Sequence, residues 1–339
     1  MHNQREWLCR ESAELVANSN YTISLNPKSE IRNPKFLLFK SAIRNPQSEI
    51  LILAFLFAVL AVLVPSSPAQ QKSKNSSQVA TPLLTRTGTR REVRRLGYGG
   101  TITIIGAPQG SISIEGWPRS EVEVYADIEL KAETEEDLNR LATVNGFVLD
   151  EDLNHLRILT TGTHDKVFMR RVAKKFPKTL LGLPWKIDYR IRVPVASDLE
   201  INAGRGAIRL AGVEGAIRLT ATESETQMTL TGGTVSATLA TGKINLRISV
   251  RSWRGNGAEL RIAAGDLTVE LPTGFNGDLD AEILRMGQIQ NSFVELQARE
   301  RPGITDRIMK ARAGAGGAFF KFIVGDGVIS IKKAGMSEK

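Results

Sequence analysis

Residues 206–219 read GAIRLAGVEGAIRL, one unit written twice, led by Gly206 and Gly215. Within each copy aliphatic residues alternate with others: Ile208 and Leu210 flank Arg209, and Ile217 and Leu219 flank Arg218. A period of two is the period of a strand, so one face of each copy is buried and the other wet. The unit recurs outward as Gly100-TITI, Gly110-SISI, Gly242-KINL, Gly265-DLTV and Gly327-VISI, with weaker copies after Gly233, Gly277 and Gly287. The leading glycine of each copy is read as a turn residue with positive φ, where a side chain would clash.

Neighbouring copies stand 9 or 10 residues apart (100 to 110, 206 to 215, 233 to 242) or 22 to 23 apart (242 to 265, 265 to 287). Short strands at such spacing suit a sandwich or barrel. They also suit a solenoid with coils of roughly 20 residues, each strand stacked on its counterpart in the next coil. Repetition of one motif, Gly-rich rather than Pro-rich turns, and ladder-forming Thr220, Thr222, Thr229 and Thr231 favour the solenoid. The expectation is an all-β fold, a single-stranded β-solenoid or β-helix-like repeat domain over 98–335, with one short helix and a basic insertion loop.

The helix is expected at about 134–145. Thr134 can cap it, Glu135, Glu136 and Asp137 suit its N-terminal end, and Leu138, Leu141 and Ala142 form a narrow apolar stripe. Residues 121–131 alternate as a strand, and 147–150 with 156–161 read as a hairpin. The insertion, about 164–186, holds seven Lys/Arg against Asp165 and has no strand alternation. It reads as an exposed loop, helical in part around Val167 to Phe176, before strands resume at Ile187.

The chain begins differently. Every residue from Ile50 to Val64 is apolar. As a helix at about 1.5 Å per residue this run spans roughly 22 Å, short of a bilayer core near 30 Å. Lys40 and Arg44 precede it, and Ser67-Pro68-Ala69 follows as an A-x-A-like site, the layout of a secretory signal peptide over 50–69, cleaved after Ala69. Upstream, Asn26-Pro27-Lys28-Ser29-Glu30-Ile31 nearly recurs as Asn45-Pro46-Gln47-Ser48-Glu49-Ile50. Residues 1–49 are therefore read as a poorly structured leader, with translation starting near Leu37. Residues 70–97, rich in Lys and Arg against Glu92 alone, read as a flexible basic linker.

Composition removes several classes of function. The 339 residues carry net charge +9, 42% hydrophobic content, one cysteine (Cys9) and three histidines, which leaves no disulfide scaffold, cysteine cluster or cysteine catalysis. No Ser-His-Asp arrangement and no phosphate-cradling Gly-Lys-Ser/Thr loop can be picked out.

The stretches GTITIIGAPQGSISIEGWPRSEVEVYADI, VPVASDLEINAGRGAIRLAGVEGAIRL and GDLTVELPTGFNGDLDAEILRMGQIQNS, closed by GDGVISIKK, resemble a bacterial family of β-strand-repeat proteins. That family is labelled putative adhesin, adhesin-head-like, and is otherwise classed as a domain of unknown function. The resemblance covers most of 98–335 and implies an exported, mostly β, solenoid-like domain without established catalytic residues. The basic loop departs from the plain repeat.

Four candidate sites follow. The first is the concentrated charge of the basic loop, with Lys166, Arg170, Arg171, Lys174, Lys175 and Lys178 as contacts for an anionic envelope polymer or surface glycan. Nucleic acid is set aside, because no reading motif accompanies the charge. Secondly, Trp117, Trp185 and Trp253 could stack on sugars or, as strand-end aromatics more often do, cap the core. Thirdly, Asp150-Glu151-Asp152 and Asp278 with Asp280 could supply oxygen ligands or glycosidase carboxylates, although such acids are common at turns and on outward strand positions. Lastly, acids gathered around Arg209 or Arg218 would suit a polysaccharide-active enzyme. No metal, cofactor or catalytic residue is assigned. The leading expectation is an exported, non-enzymatic envelope protein of the periplasm, cell surface or medium, with an adhesion or scaffold role. A glycan lyase or hydrolase and a self-assembling envelope module are the alternatives, and the membrane is met only through the signal peptide.

Overall fold

The structure, a computed structural model, describes residues 83–301 and 303–335. The leader, the apolar segment, the cleavage point and the first part of the basic linker lie outside the described residues. Among the described residues no helix is long and apolar enough to cross a membrane.

The fold is mostly β. Sixteen strands join in one hydrogen-bonded system, in chain order β1 (Leu84–Arg95), β2 (Thr101–Gln109), β3 (Ile112–Trp117), β4 (Glu121–Ala132), β5 (Gly146–Asp152), β6 (His155–Thr161), β7 (Trp185–Pro194) and β8 (Asp198–Arg205). They continue as β9 (Ile208–Ala211), β10 (Ala216–Leu230), β11 (Gly232–Ile248), β12 (Arg254–Leu271), β13 (Gly277–Asn291), β14 (Leu296–Ala298), β15 (Ile308–Ala313) and β16 (Phe319–Lys333). Helix α1 (Glu135–Val144) follows β4, and α2 (Lys166–Val172) lies between β6 and β7.

Long strands β10, β11, β12, β16 and β13 stack in parallel in that order. Their inward residues form ladders. One runs Ile104, Ile201, Leu219, Ala237, Leu260, Phe322, Ala281, each in register with the next and all buried. Another runs Val124, Ile191, Ile114, Leu210, Met228, Leu246, Val269, Ile331, likewise buried. Burying such an aliphatic side chain stabilises by roughly 1.5–3 kcal/mol, so these rows are the backbone of the core.

The two ladders share the same long strands because each strand changes its inward parity midway. In β10, Ile217, Leu219 and Ala221 are buried, then Thr222 and Glu223 are both exposed, and Ser224, Thr226 and Met228 are buried. The strand bends there, and both halves face one core. Shorter strands make the same bend in two pieces: β8 and β9 pair with the first and second halves of β10, and β2 and β3 pair with β8 and β9.

This bend revises the reading of the repeat glycines. Gly242, Gly265 and Gly327 do not lead into strands; they lie inside β11, β12 and β16, at the corner. There Gly265 has φ 140°, and a Cβ on it would fall 1.8 Å from the Gly242 carbonyl oxygen. Gly206 stacks on Gly110, and Gly327 on Gly265, in the same manner. Gly100 and Gly215 stand apart, without positive φ; a Cβ on Gly215 would meet the Ser197 carbonyl oxygen at 2.0 Å.

Three further expectations change. Residues 84–95 of the supposed linker are β1, paired antiparallel with β4 along its whole length. Its side chains are mostly exposed, so it carries no hydrophobic alternation, and its arginines meet acids instead: Arg91 bonds Glu123 at 2.5 Å. The copies at Gly265 and Gly287 are not neighbours, because β16 lies between β12 and β13 and is parallel to both. Finally, the insertion is shorter and more ordered than 164–186, since Trp185 and Lys186 already belong to β7.

Candidate functional site

The insertion between β6 and β7 is anchored at both ends. At its start, the Asn145 side chain at the C-terminal end of α1 accepts a hydrogen bond from the Thr163 backbone N–H (2.9 Å). His164 lies against the Trp185 ring, centroids 5.4 Å apart. Burial holds the His164 imidazole below its usual pKa, while neighbouring Asp165 acts in the opposite sense. At its end, Leu180 and Trp185 are buried in the core.

Between these anchors α2 forms because Asp165 caps it, its carboxylate accepting from the N–H groups of Val167 (2.8 Å) and Phe168 (3.0 Å). Arg170 and Arg171 fill the last turn, where cations suit the helix dipole. Pro177, just beyond, is the N-cap of a 3-10 turn at Lys178–Leu180. Met169 is the buried residue of α2, and Phe176 packs against the core from its partly buried position.

Lys166, Arg170, Arg171, Lys174, Lys175 and Lys178 all point to solvent. Among the described residues none of the six makes an ion pair. Elsewhere cations are commonly neutralised: Arg157 by Asp150 (2.7 Å), Arg247 by Glu270 (2.6 Å), Arg285 by Asp326 (2.6 Å), Arg312 by Asp278 (2.7 Å). The structure thus places the basic residues singled out in the sequence on one insertion and leaves their charge uncompensated.

Those residues rim two open clefts. One, of about 850 Å³, lies between the end of α1 and α2, with Arg140, Val144, Phe168, Arg171 and Lys175 on its walls. The other, of about 770 Å³, lies on the His164 side, with Lys166, Arg170, Lys174 and Lys178 around Met169 and Phe176. Ala173, Lys174 and Phe176 line both. The apolar walls and Arg140 were not legible as site residues, because they come together only when the insertion folds back toward α1.

The other candidates are otherwise engaged. Trp253 is buried edge-on to Phe320 and donates to the Gly233 carbonyl oxygen (2.9 Å). Trp117 donates to the Glu121 carbonyl oxygen (2.7 Å), with the guanidinium groups of Arg119 and Arg192 near its ring. Asp150 lies within β5 rather than in a turn. Asp278 and Asp280 are both tied by Arg299, at 3.6 and 2.8 Å. The Asp278 carboxyl is held below its ordinary pKa, chiefly by its hydrogen bond from Arg312. Arg209 faces Ser113 and Gln227 across the sheet, and Arg218 faces Glu200 and Ser236 without an ion pair among the described residues. No group of three or more His, Cys, Asp or Glu side chains that could hold a metal ion occurs among the described residues.

Fold and site together define a mostly β domain of stacked parallel strands bearing one cation-rich insertion. No family model matches this chain, and no curated protein matches it. Among solved structures it is similar to a putative cell adhesion protein from Clostridium sporogenes, at 14% identity and TM-score 0.42, over 73% of this chain and 100% of that one. It is also similar to a putative adhesin from Bacteroides fragilis, at 14% identity and TM-score 0.25, over 73% of this chain and 97% of that one. A putative adhesin from Parabacteroides merdae is matched at 8% identity and TM-score 0.19, over 72% and 95% of the two chains.

Proposed function

We propose that this chain is an exported, non-enzymatic protein of the cell envelope, with an adhesion or scaffold role, whose basic insertion attaches to an anionic envelope polymer. The observation that carries this reading is the set of six solvent-facing cations from Lys166 to Lys178 with no acidic partner among the described residues. Concentrated uncompensated charge attracts a polyanion at long range and is screened by salt. The parallel stack, read as a short solenoid, supplies the rigid support. Its in-register ladders and glycine corners favour that reading, and antiparallel β14 and β15 would close one end.

The test is co-sedimentation of the purified protein with isolated cell envelopes across a salt series. The bound fraction should fall steeply as salt rises, and the double variant Lys174→Glu, Lys175→Glu should bind about tenfold more weakly at low salt. Binding indifferent to both salt and charge reversal would overturn the proposal.

A further inference from the structure

The second cleft is more than a charged surface. Lys166, Arg170, Lys174 and Lys178 surround it, but its walls are mostly apolar: Met169 is buried, Phe176 is partly buried, and Ala173 and Leu181 line it with them, beside Thr163 and His164. A polyanion needs only the cations, and it would leave the accessible parts of Ala173, Phe176 and Leu181 in water. Clefts of about 300–1,000 Å³ with apolar walls and a few convergent polar groups are typical sites for small ligands, and this one measures about 770 Å³.

The charges are also held together against their own repulsion. Lys166 and Arg170 are one helical turn apart on α2, a like-charge pair that weakens a helix by roughly 0.2–0.5 kcal/mol. Asp165, the nearest acid in sequence, is occupied in capping the helix. A ligand that fits must therefore bring negative charge to the rim and an apolar body to the floor.

We propose that this cleft binds a single-chain anionic amphiphile. Its alkyl chain lies along Met169, Ala173 and Phe176, and its phosphate or carboxylate headgroup meets Lys166, Arg170, Lys174 and Lys178. This rests on the reading that the insertion is an anion-binding surface, and it adds the chemical class of the ligand. The occupant is a monomeric amphiphile in the cleft, not a bilayer surface.

The test is calorimetric titration of the full chain with monomeric dodecyl phosphate. Inorganic phosphate, neutral dodecyl maltoside, polyphosphate and phosphatidylglycerol vesicles serve as comparators. Dodecyl phosphate should bind one per chain and at least about tenfold more tightly than inorganic phosphate or dodecyl maltoside. Ala173→Trp, which fills the cleft, should weaken it about tenfold while leaving polyphosphate binding within about twofold. Leu181→Asn, at an exposed position, should weaken it in the same direction and guards against misfolding of the first variant. Equal affinity for inorganic phosphate, insensitivity to both substitutions, or binding to vesicles without binding to the monomer would each overturn the amphiphile proposal. Retained dodecyl phosphate binding with no polyphosphate binding would instead overturn the polymer reading and leave the amphiphile site standing.

Discussion

Single atoms decide where the strands turn. At Gly265 a Cβ would lie 1.8 Å from the Gly242 carbonyl oxygen in the neighbouring strand β11, and the backbone sits at φ 140°. No rotamer change relieves a clash with backbone, so Gly265→Ala must push β11 and β12 apart. We expect a loss of about 4 kcal/mol or more, measured by denaturant unfolding, since strain and lost pairing act together. Gly88 is the matching control: it lies in β1 with nothing within 4 Å of its Cβ position. Gly88→Ala should be neutral or stabilise by about 0.4–1 kcal/mol, through the unfolded chain. Equal costs at the two positions would refute the corner role of Gly265. The sequence shows the need for glycine with positive φ at Gly242, Gly265 and Gly327 but not that they stand mid-strand, because a turn and a mid-strand corner demand the same residue.

Among the elements, β1 shows how charge can replace hydrophobic pattern. Buried Glu123 of β4 accepts from Arg91 of β1 at 2.5 Å and lies 3.4 Å from Arg192 of β7, tying three strands. The hydrogen bond from Arg91 is the main reason the Glu123 carboxyl is held below its ordinary range. A depressed carboxylate pKa contributes stability that is fully present above the unfolded value, about 4.3, and is lost as pH falls through the folded value. Glu123→Gln should therefore cost about 1.5–3 kcal/mol at neutral pH, as for hydrogen bonds to charged groups, and the difference from the parent should shrink below about pH 4. A difference that stays constant from pH 7 to pH 3 would show that ionisation of Glu123 contributes nothing. The strand was hidden in the sequence because its arginines make no alternation by themselves; the partners of Arg86, Arg91 and Arg94 outside the strand, Glu135, Glu123 and Glu151, stand some thirty to sixty residues on.

For the whole molecule the decisive feature is the position of β16. The strand nearest the C-terminus is not an edge: it is hydrogen-bonded to β12 on one side and β13 on the other. It carries Phe320, Phe322, Val324, Ile329 and Ile331 into the core. At roughly 1.5–3 kcal/mol each, these five side chains together are comparable to a typical net stability of about 5–15 kcal/mol. Ending the chain after Ala318 should abolish the cooperative thermal transition followed by circular dichroism. A cooperative transition that survives would mean that β12 and β13 can close on each other without β16.

The mostly β character, the inward set Ile102, Ile104, Ile208, Leu210, Ile217 and Leu219, and the position of the basic insertion were determined by the sequence itself. Period-two alternation and local charge density are properties of neighbours in the chain. The partner of each strand, the bend at Gly265, the pairing of β1 and the placing of β16 between β12 and β13 were decided only in three dimensions. So was the joining of Met169, Phe176 and Leu181 with four cations around one cleft. Those features depend on which distant segments meet, and a strand's alternation says which side is inward but not whose backbone it will bond.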